Sequence, residues 1–510
     1  MKKRLGFTLA AAIIVVIVVS AFAAIETYNS SSSQAASKKP FYVGVTYCGN
    51  STTEAEQLID KVKNYTNLFV VQSGPLMTNL TAMEQICDYA VNSGLNIIVY
   101  YAHNGDAANT CDSFLDIAQA RWGSHFLGLY YNDEPGGKML DNGVNLYDSA
   151  TGTSIVKNED GSLQESYDKQ SNNITTQYDY TFLSSGEIDA YITITFPDSS
   201  NQFNTTTYFT NGTISLSTMY ESAAGAISFG SPLWYQPNGI VQDENGTVVT
   251  DAGKISQFEP YQQLWDSRPL QTYADAANLY VSTEQNILGS VGNQSSVTLF
   301  TSDYGLDWFD YQAGYDVVLG QLGWNQSTTQ NIALVRGGAD MQNKSWGTMI
   351  TWASLTAPYL QSGDEMYNAM CQSYESGAEY VVVFNYAGST SSVGVVPNSN
   401  GTSSDSGLLQ DPQFAAIQKF WTDIVQNPKE TNNVKAQDAL VLPQDYGWGM
   451  RSQNDTIWGL WQPDNSSQQV WSALQASLGK YGSKLDIVYD DPAYPTAGRY
   501  QHVCFWNQTD

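Results

Sequence analysis

The sequence predicts an α/β protein: a closed (β/α)8, or TIM, barrel with a β-rich insertion after its fourth strand and a small C-terminal α/β domain. Three observations carry that expectation. Short, near-continuous apolar runs alternate with amphipathic stretches about every thirty residues, the pattern of parallel strands covered by helices. The rhythm stops after Lys138 for more than a hundred residues and then resumes. The fourth run, residues 126–135 (F-L-G-L-Y-Y-N-D-E-P), ends in Asn132, Asp133 and Glu134 just before a proline. Barrels of this kind present functional groups at the C-terminal ends of their strands, and Pro135, lacking an amide hydrogen, ends the ladder there.

At the start of the chain, Lys2, Lys3 and Arg4 precede an uncharged, mostly apolar run over residues 5–25, long enough to span a bilayer. Ala21-Phe22-Ala23 offers a cleavage site, so residues 1–25 read as either a signal peptide or a membrane anchor, with the remainder outside the cell. Residues 26–39 form a polar, flexible stalk. Strand one is expected at 41–48, followed by a helix at 53–65 that gathers Leu58, Ile59 and Val62 on one face. Strand two (67–73), a helix (80–93), strand three (96–101) and a helix (111–122) lead to the fourth strand. Residues 140–262 read as a mostly β insertion, with strands at 188–196, 205–209 and 213–217 set between Asn-Gly and Asp-Gly turns. Placed after strand four, it is expected to adjoin the C-terminal face of the barrel as a lid or specificity element.

The alternation resumes with a helix at 269–288 and strand five at 296–302, ending in Asp303-Tyr304. Strand six (315–322), a helix (329–341), strand seven (346–352), a helix (364–375), strand eight (379–386) and a helix (413–425) complete a barrel spanning 40–428. Residues 436–510 form the small α/β domain, with strands at 439–442 and 485–489 around a helix at 468–481.

Composition narrows the function. Fifty acidic against 22 basic residues give a net charge of −28, yet charged residues total only 14%, so Ser, Thr, Asn, Gln and Tyr must build most of the polar surface. Such a charge disfavours nucleic acid and anionic membranes, leaving membrane contact to the N-terminal segment. About fourteen Asn-X-Ser/Thr sequons, among them at Asn50, Asn64, Asn79, Asn173, Asn211, Asn325 and Asn507, combine with the leader to suggest an extracellular or cell-surface glycoprotein. Five scattered cysteines and three histidines make neither a disulfide scaffold nor a ligand cluster, and no Gly-rich phosphate loop occurs. No metal and no cofactor is expected.

The strand ends collect Tyr47, Gln72, Tyr101, His103, Asn132, Tyr304, Trp352, Asn385 and Tyr386. A mouth of aromatic rings and amides with a few acids suits carbohydrate, whose C–H faces stack on rings while hydroxyls bond amides and carboxylates. Glycoside hydrolysis needs one carboxylic acid to protonate the leaving oxygen and a second carboxylate as nucleophile or base. Glu134 is the expected acid, its pKa raised by burial. Asp303, on the neighbouring strand, is the first choice for its partner and Asp133 the second. His103 is expected to orient Glu134 or a sugar hydroxyl.

Asn132-Asp133-Glu134-Pro135 at the end of strand four resembles the Asn-Glu-Pro signature of the large clan of retaining glycoside hydrolases built on (β/α)8 barrels. The resemblance implies that Glu134 is the acid/base and that the asparagine before it holds a sugar 2-hydroxyl. Here Asp133 stands between the two, and Trp352 stands near the end of strand seven where the clan carries its nucleophilic glutamate. Two readings therefore stay open: a glycosidase, or a non-catalytic cell-surface glycoprotein whose barrel binds glycan or is structural.

Overall fold

A computed structural model describes residues 40–102, 105–142, 146–148, 152–158, 160–237, 240–249, 258–291, 297–354, 359–386, 407–427 and 435–508. The leader and stalk (1–39) and His103 lie outside the described residues. Among the described residues, no helix is long and apolar enough to cross a membrane.

The first half of the barrel runs β1 (Tyr42–Tyr47), α1 (Thr52–Val62), β2 (Leu68–Val71), α2 (Leu80–Asn92), β3 (Asn96–Tyr101), α3 (Gly105–Trp122), β4 (Phe126–Tyr131) and α4 (Pro135–Asn142). Local chemistry sets the helix starts. Ser51 and Asn79 accept the amides of Glu54 and Ala82 and so satisfy a free donor in the first turns of α1 and α2. The insertion follows as β5 (Leu146–Asp148), β6 (Thr153–Lys157), β7 (Leu163–Ser171), β8 (Ile174–Phe182), β9 (Ile188–Thr195), β10 (Asn201–Tyr208), β11 (Ile214–Glu221), β12 (Ile227–Phe229), β13 (Leu233–Tyr235) and β14 (Val241–Asp243), then the short helix α5 (Tyr261–Asp266). The barrel resumes with α6 (Tyr273–Gly289), β15 (Leu299–Asp303), α7 (Asp307–Ala313), β16 (Val317–Leu322), α8 (Thr328–Gln342), β17 (Ser345–Ile350), α9 (Gly363–Glu375), β18 (Tyr380–Val383) and α10 (Asp411–Phe420). Capping boxes start α6 at Thr272/Asp275 and α9 at Ser362/Glu365. The chain ends with β19 (Asp438–Leu442), α11 (Asn465–Tyr481), β20 (Leu485–Tyr489) and β21 (His502–Phe505).

Eight parallel strands close in the order β1-β2-β3-β4-β15-β16-β17-β18, as the alternation predicts. Val70, Ile98, Tyr130, Phe300, Leu319 and Val382 are among the residues that fill the interior. Because side chains alternate along a strand, this inner set fixes which strand-end residues face the mouth and which face the helices. The seam between β4 and β15 is short, pairing only Leu299 with Leu129 and Phe300 with Tyr130. Gly128 makes the close approach possible: a Cβ there would lie 2.2 Å from the Thr298 carbonyl oxygen, and its φ of 152° is one that side chains rarely adopt.

The insertion forms a ten-stranded antiparallel sheet separate from the barrel sheet. Phe182, Ile188, Ala190 and Tyr208 bury one side of it with Leu264 of α5, giving the insertion its own core. Its root rests on the barrel flank, where the Tyr147 amide donates to Thr283 Oγ1 of α6 at 3.1 Å and Lys157 Nζ to the Gly459 carbonyl. At its root the insertion thus contacts α6 and the C-terminal segment, whose Gly459 in turn packs on α4.

The C-terminal sheet is parallel, in the order β20-β19-β21, and its third strand was not evident from the sequence pattern. It docks on α8. A Cβ on Gly337 would lie 2.5 Å from the Ile487 carbonyl oxygen, so helix and strand backbones nearly touch. Arg336 donates to Asp486 Oδ1 at 2.7 Å and to the carbonyls of Ser483 and Leu485 at 2.9 and 2.8 Å, with both charged side chains buried. Removing one member of a buried pair leaves the other charge uncompensated, at a cost of about 3–5 kcal/mol. Arg336→Met is expected to lose stability on that scale in urea unfolding. A loss under about 1 kcal/mol would show that apolar contacts alone hold the domain.

Candidate active site at the mouth of the barrel

The site begins with the turn that ends β4. Asn132 and Glu134 adopt left-handed backbone conformations, with φ of 57° and 54°, so the strand alternation does not continue through them. Pro135 opens α4, where its fixed φ suits a first helical position. The helix start is held by Asp303. Its Oδ2 accepts the Gly136 amide at 2.5 Å, and its Oδ1 accepts those of Gly137, Tyr304 and Gly305 at 2.8, 2.7 and 3.0 Å. Only glycines fit under this grip: a Cβ on Gly136 would meet Leu306 Cβ at 2.6 Å, and one on Gly137 the Tyr304 ring at 2.2 Å.

The far end of α4 is clamped by the C-terminal segment. Arg451 bonds Asp141 and pairs with Asp455 at 2.8 Å, and Thr456 Oγ1 donates to the Leu140 carbonyl at 3.3 Å. Gly459 packs against the Met139 carbonyl with no room for a side chain.

Glu134 thus turns toward the strand ends. Gln321, closing β16, donates from Nε2 to Glu134 Oε1 at 2.6 Å and to Ser302 Oγ at 3.0 Å, while Trp324 Nε1 donates to Gln321 Oε1 at 2.7 Å. Ser302 lies 2.7 Å from the Tyr130 hydroxyl, which donates to Asp133. Gln72 Nε2 reaches the same hydroxyl at 3.5 Å. Burial first, and then the Asp133 charge, pushes the Glu134 carboxyl up to about 8, against the opposing pull of the Gln321 amide and the Lys138 charge. Burial and the Asp133 charge thus favour the protonated form of Glu134.

Aromatic rings extend the mouth beyond these carboxyls. Trp352 stacks with Tyr386 at 5.9 Å and approaches Trp324 at 6.2 Å, and Tyr304 lies 6.4 Å from Trp324. Tyr100 packs edge-on to Tyr130 at 5.5 Å, and the charges of Asp133 and Glu134 add to burial in raising its hydroxyl above the usual tyrosine value.

Of the residues expected from the sequence, Glu134, Asp133, Gln72, Tyr304, Trp352 and Tyr386 come together here. Four others face the helix layer, because they sit one position off the inward set. Asp303 follows inward Ser302 and caps α4 rather than facing Glu134. Tyr101 follows Tyr100 and packs on Phe114 of α3 at 5.5 Å. The Tyr47 hydroxyl donates to the Ser51 carbonyl at 2.6 Å, at the start of α1. Asn385 accepts the Leu409 amide at 2.9 Å. Asn132 is turned outward by its own φ and donates to Glu284 Oε2 of α6 at 2.9 Å. Sequence reasoning missed Tyr100 and Ser302, and gave no role of their own to Tyr130 beside Glu134 or to Gln321 and Trp324 at a strand end. Gln321 and Trp324, at the end of strand six, were the readable signal among them.

Behind Asp303 lies a buried acidic layer. Glu284 accepts from Tyr315 at 3.1 Å as well as from Asn132, and Asp310 accepts from Tyr280 at 2.5 Å. Asp310 Oδ2 is buried with no hydrogen-bond partner. Asp310 and Asp307 are pushed well up by burial and then by the Asp303 charge. Among the described residues, no group of acids, histidines or cysteines is arranged to hold a metal.

No family model matches the chain, and no curated protein does. Three similar solved structures are GH5_18 proteins. The one from Streptomyces cattleya in complex with GlcNAc has 9% identity and a TM-score of 0.45, covering 92% of this chain and 99% of that one. A glutamate-to-alanine variant from Streptomyces cattleya, in complex with Manb1-4GlcNAc, has 10% identity and a TM-score of 0.43 over 92% and 99% of the two chains. A glutamate-to-alanine variant from Bifidobacterium longum subsp. longum, in complex with the same ligand, has 8% identity and a TM-score of 0.42 over 92% and 96%. The barrel itself is defined by its own closed sheet of eight parallel strands.

Burial raises Asp303 from 3.8 to about 6, and Glu284 and Glu134 from 4.5 to about 7 and 8. All three bind their protons more tightly folded than unfolded, so folding takes up protons. Their contribution is most favourable below the ordinary values and is lost as pH rises from about 4 through about 8. Scanning calorimetry is expected to give the highest Tm near pH 4–5, falling steadily toward pH 8. A Tm that climbs across this interval would mean the layer is ionised and paired in the folded protein.

Proposed function

We propose that the barrel mouth binds a neutral carbohydrate and hydrolyses a glycosidic bond, with Glu134 as general acid. The observation that carries this reading is the Glu134 carboxyl held by Gln321 at the strand ends, beside the Asp133 carboxyl and within a mouth of aromatic rings, with burial raising its pKa. The Glu134 proton passes to the glycosidic oxygen as the bond to the anomeric carbon breaks, a carboxylate stabilises the charge left on the sugar ring, and water then adds to the anomeric carbon and returns a proton to Glu134. Asp133 takes the second role in place of Asp303, whose oxygens are engaged by backbone amides. The rings of Trp324, Trp352, Tyr386 and Tyr100 supply stacking surfaces for sugar C–H faces. The basic, apolar leader and the sequons support a location outside the cell, tethered through the leader or released from it.

A second reading is favoured by one observation. The strand-seven end carries Trp352, packed among aromatic rings, so the site's two carboxyls are sequence neighbours and do not face each other from opposite strands. On that view the mouth binds glycan without cleaving it.

A panel of neutral oligosaccharides separates the two. Wild type is expected to release reducing sugar, and Glu134→Gln, which keeps the shape but removes the transferable proton, to lose roughly 10²–10⁴-fold in rate with unchanged Tm. Retained activity in the variant removes Glu134 from the chemistry. Binding without cleavage by wild type selects the second reading.

A further inference from the structure

Gln321 bonds three residues of the mouth, and its orientation is chemically determined. Trp324 Nε1 can only donate, so the Gln321 atom 2.7 Å from it is the carbonyl oxygen. The amide nitrogen then faces the other way, and both its hydrogens are engaged, one by Glu134 Oε1 and one by Ser302 Oγ. Tyr130 gives its one hydroxyl hydrogen to Asp133, so across the Tyr130–Ser302 contact it is Ser302 that donates. One direction of donation therefore runs from Trp324 through Gln321 to both carboxyls.

We infer that Gln321, locked by Trp324, is the positioning residue that sets both carboxyls of the mouth and, when Glu134 carries a proton, confines it to Oε2. In a carboxylic acid the carbonyl-type oxygen is the better acceptor. The oxygen that receives the Gln321 hydrogen is thus the unprotonated one, and Oε2 is left to deliver the proton. The catalytic consequence rests on the proposed function; the hydrogen-bond geometry does not. The charged or titratable groups around Glu134 are Asp133 on its own turn, Lys138 on α4 and Asp303 on β15, with Tyr100, Tyr130 and Tyr304 alongside.

The test uses the full chain labelled with ¹³C at the glutamate carboxyls, with the Glu134 resonance assigned by its absence from Glu134→Gln. Wild type is expected to titrate near 8. In Gln321→Leu an amide hydrogen offered to the charged form is lost, and the midpoint is expected to rise by roughly one pH unit. Trp324→Phe leaves the amide free to turn over, and its midpoint should rise in the same direction. Trp324→Phe also carries the test if Gln321→Leu fails to fold. Midpoints equal to wild type in folded variants would overturn the assignment. A rise in Gln321→Leu without one in Trp324→Phe would overturn the lock. These titrations read the carboxyl whether or not the protein cleaves sugar, so an inactive wild type sinks the proposed function and leaves this inference standing or falling on its own result.

Discussion

Four backbone amides converge on the carboxylate of Asp303, and the mouth of the barrel depends on that grip. It ties the first turn of α4 to the end of β15 across the shortest seam in the sheet. Without it, the two glycines after Pro135 would leave the start of α4 loose, and the turn that carries Asp133 and Glu134 would lose its reference. The clamp at the far end of α4, from Arg451, Thr456 and Gly459, makes the C-terminal segment part of the same support. The appended domain therefore bears on the geometry of the site as well as on overall stability.

The grip also accounts for the acid behind it. The amides offset part of the burial that raises Asp303, while burial, and then the Asp303 charge, pushes Asp307 and Asp310 well up. The same logic operates inside the mouth, where Asp133 raises Glu134. The upward shift of the carboxyls on both sides of β15 favours the folded state at lower pH. It agrees with a chain whose net charge of −28 repels itself most strongly at high pH.

The helices and the eightfold alternation were legible because amphipathic faces and Ser, Thr and Asn caps leave a direct imprint on sequence. Glu134 was legible because a polar tip on an apolar strand, stopped by a proline, marks the end of the strand that opens on the barrel mouth. Strand parity was not. The buried strands are apolar on both faces, so nothing in Asn96–Tyr101 says that Tyr100 and not Tyr101 faces the axis. The same one-residue ambiguity exchanged Ser302 for Asp303. The outward turn of Asn132 depends on a left-handed backbone that asparagine tolerates but does not announce. The glycine pair at 136–137 did hint that another group approaches the helix start closely, without saying which.

The central claim, that Asp303 is the cap on which the site is built, is tested most directly by amide hydrogen exchange. In the wild type the amides of Gly136, Gly137, Tyr304 and Gly305 should be protected like those of neighbouring strands. In Asp303→Ala they should exchange at loop-like rates, together with the Glu134 amide that bonds Ser302 at 3.1 Å, while β16 and β17 keep their protection. Unprotected amides in the wild type, or protection unchanged by the substitution, would contradict the account.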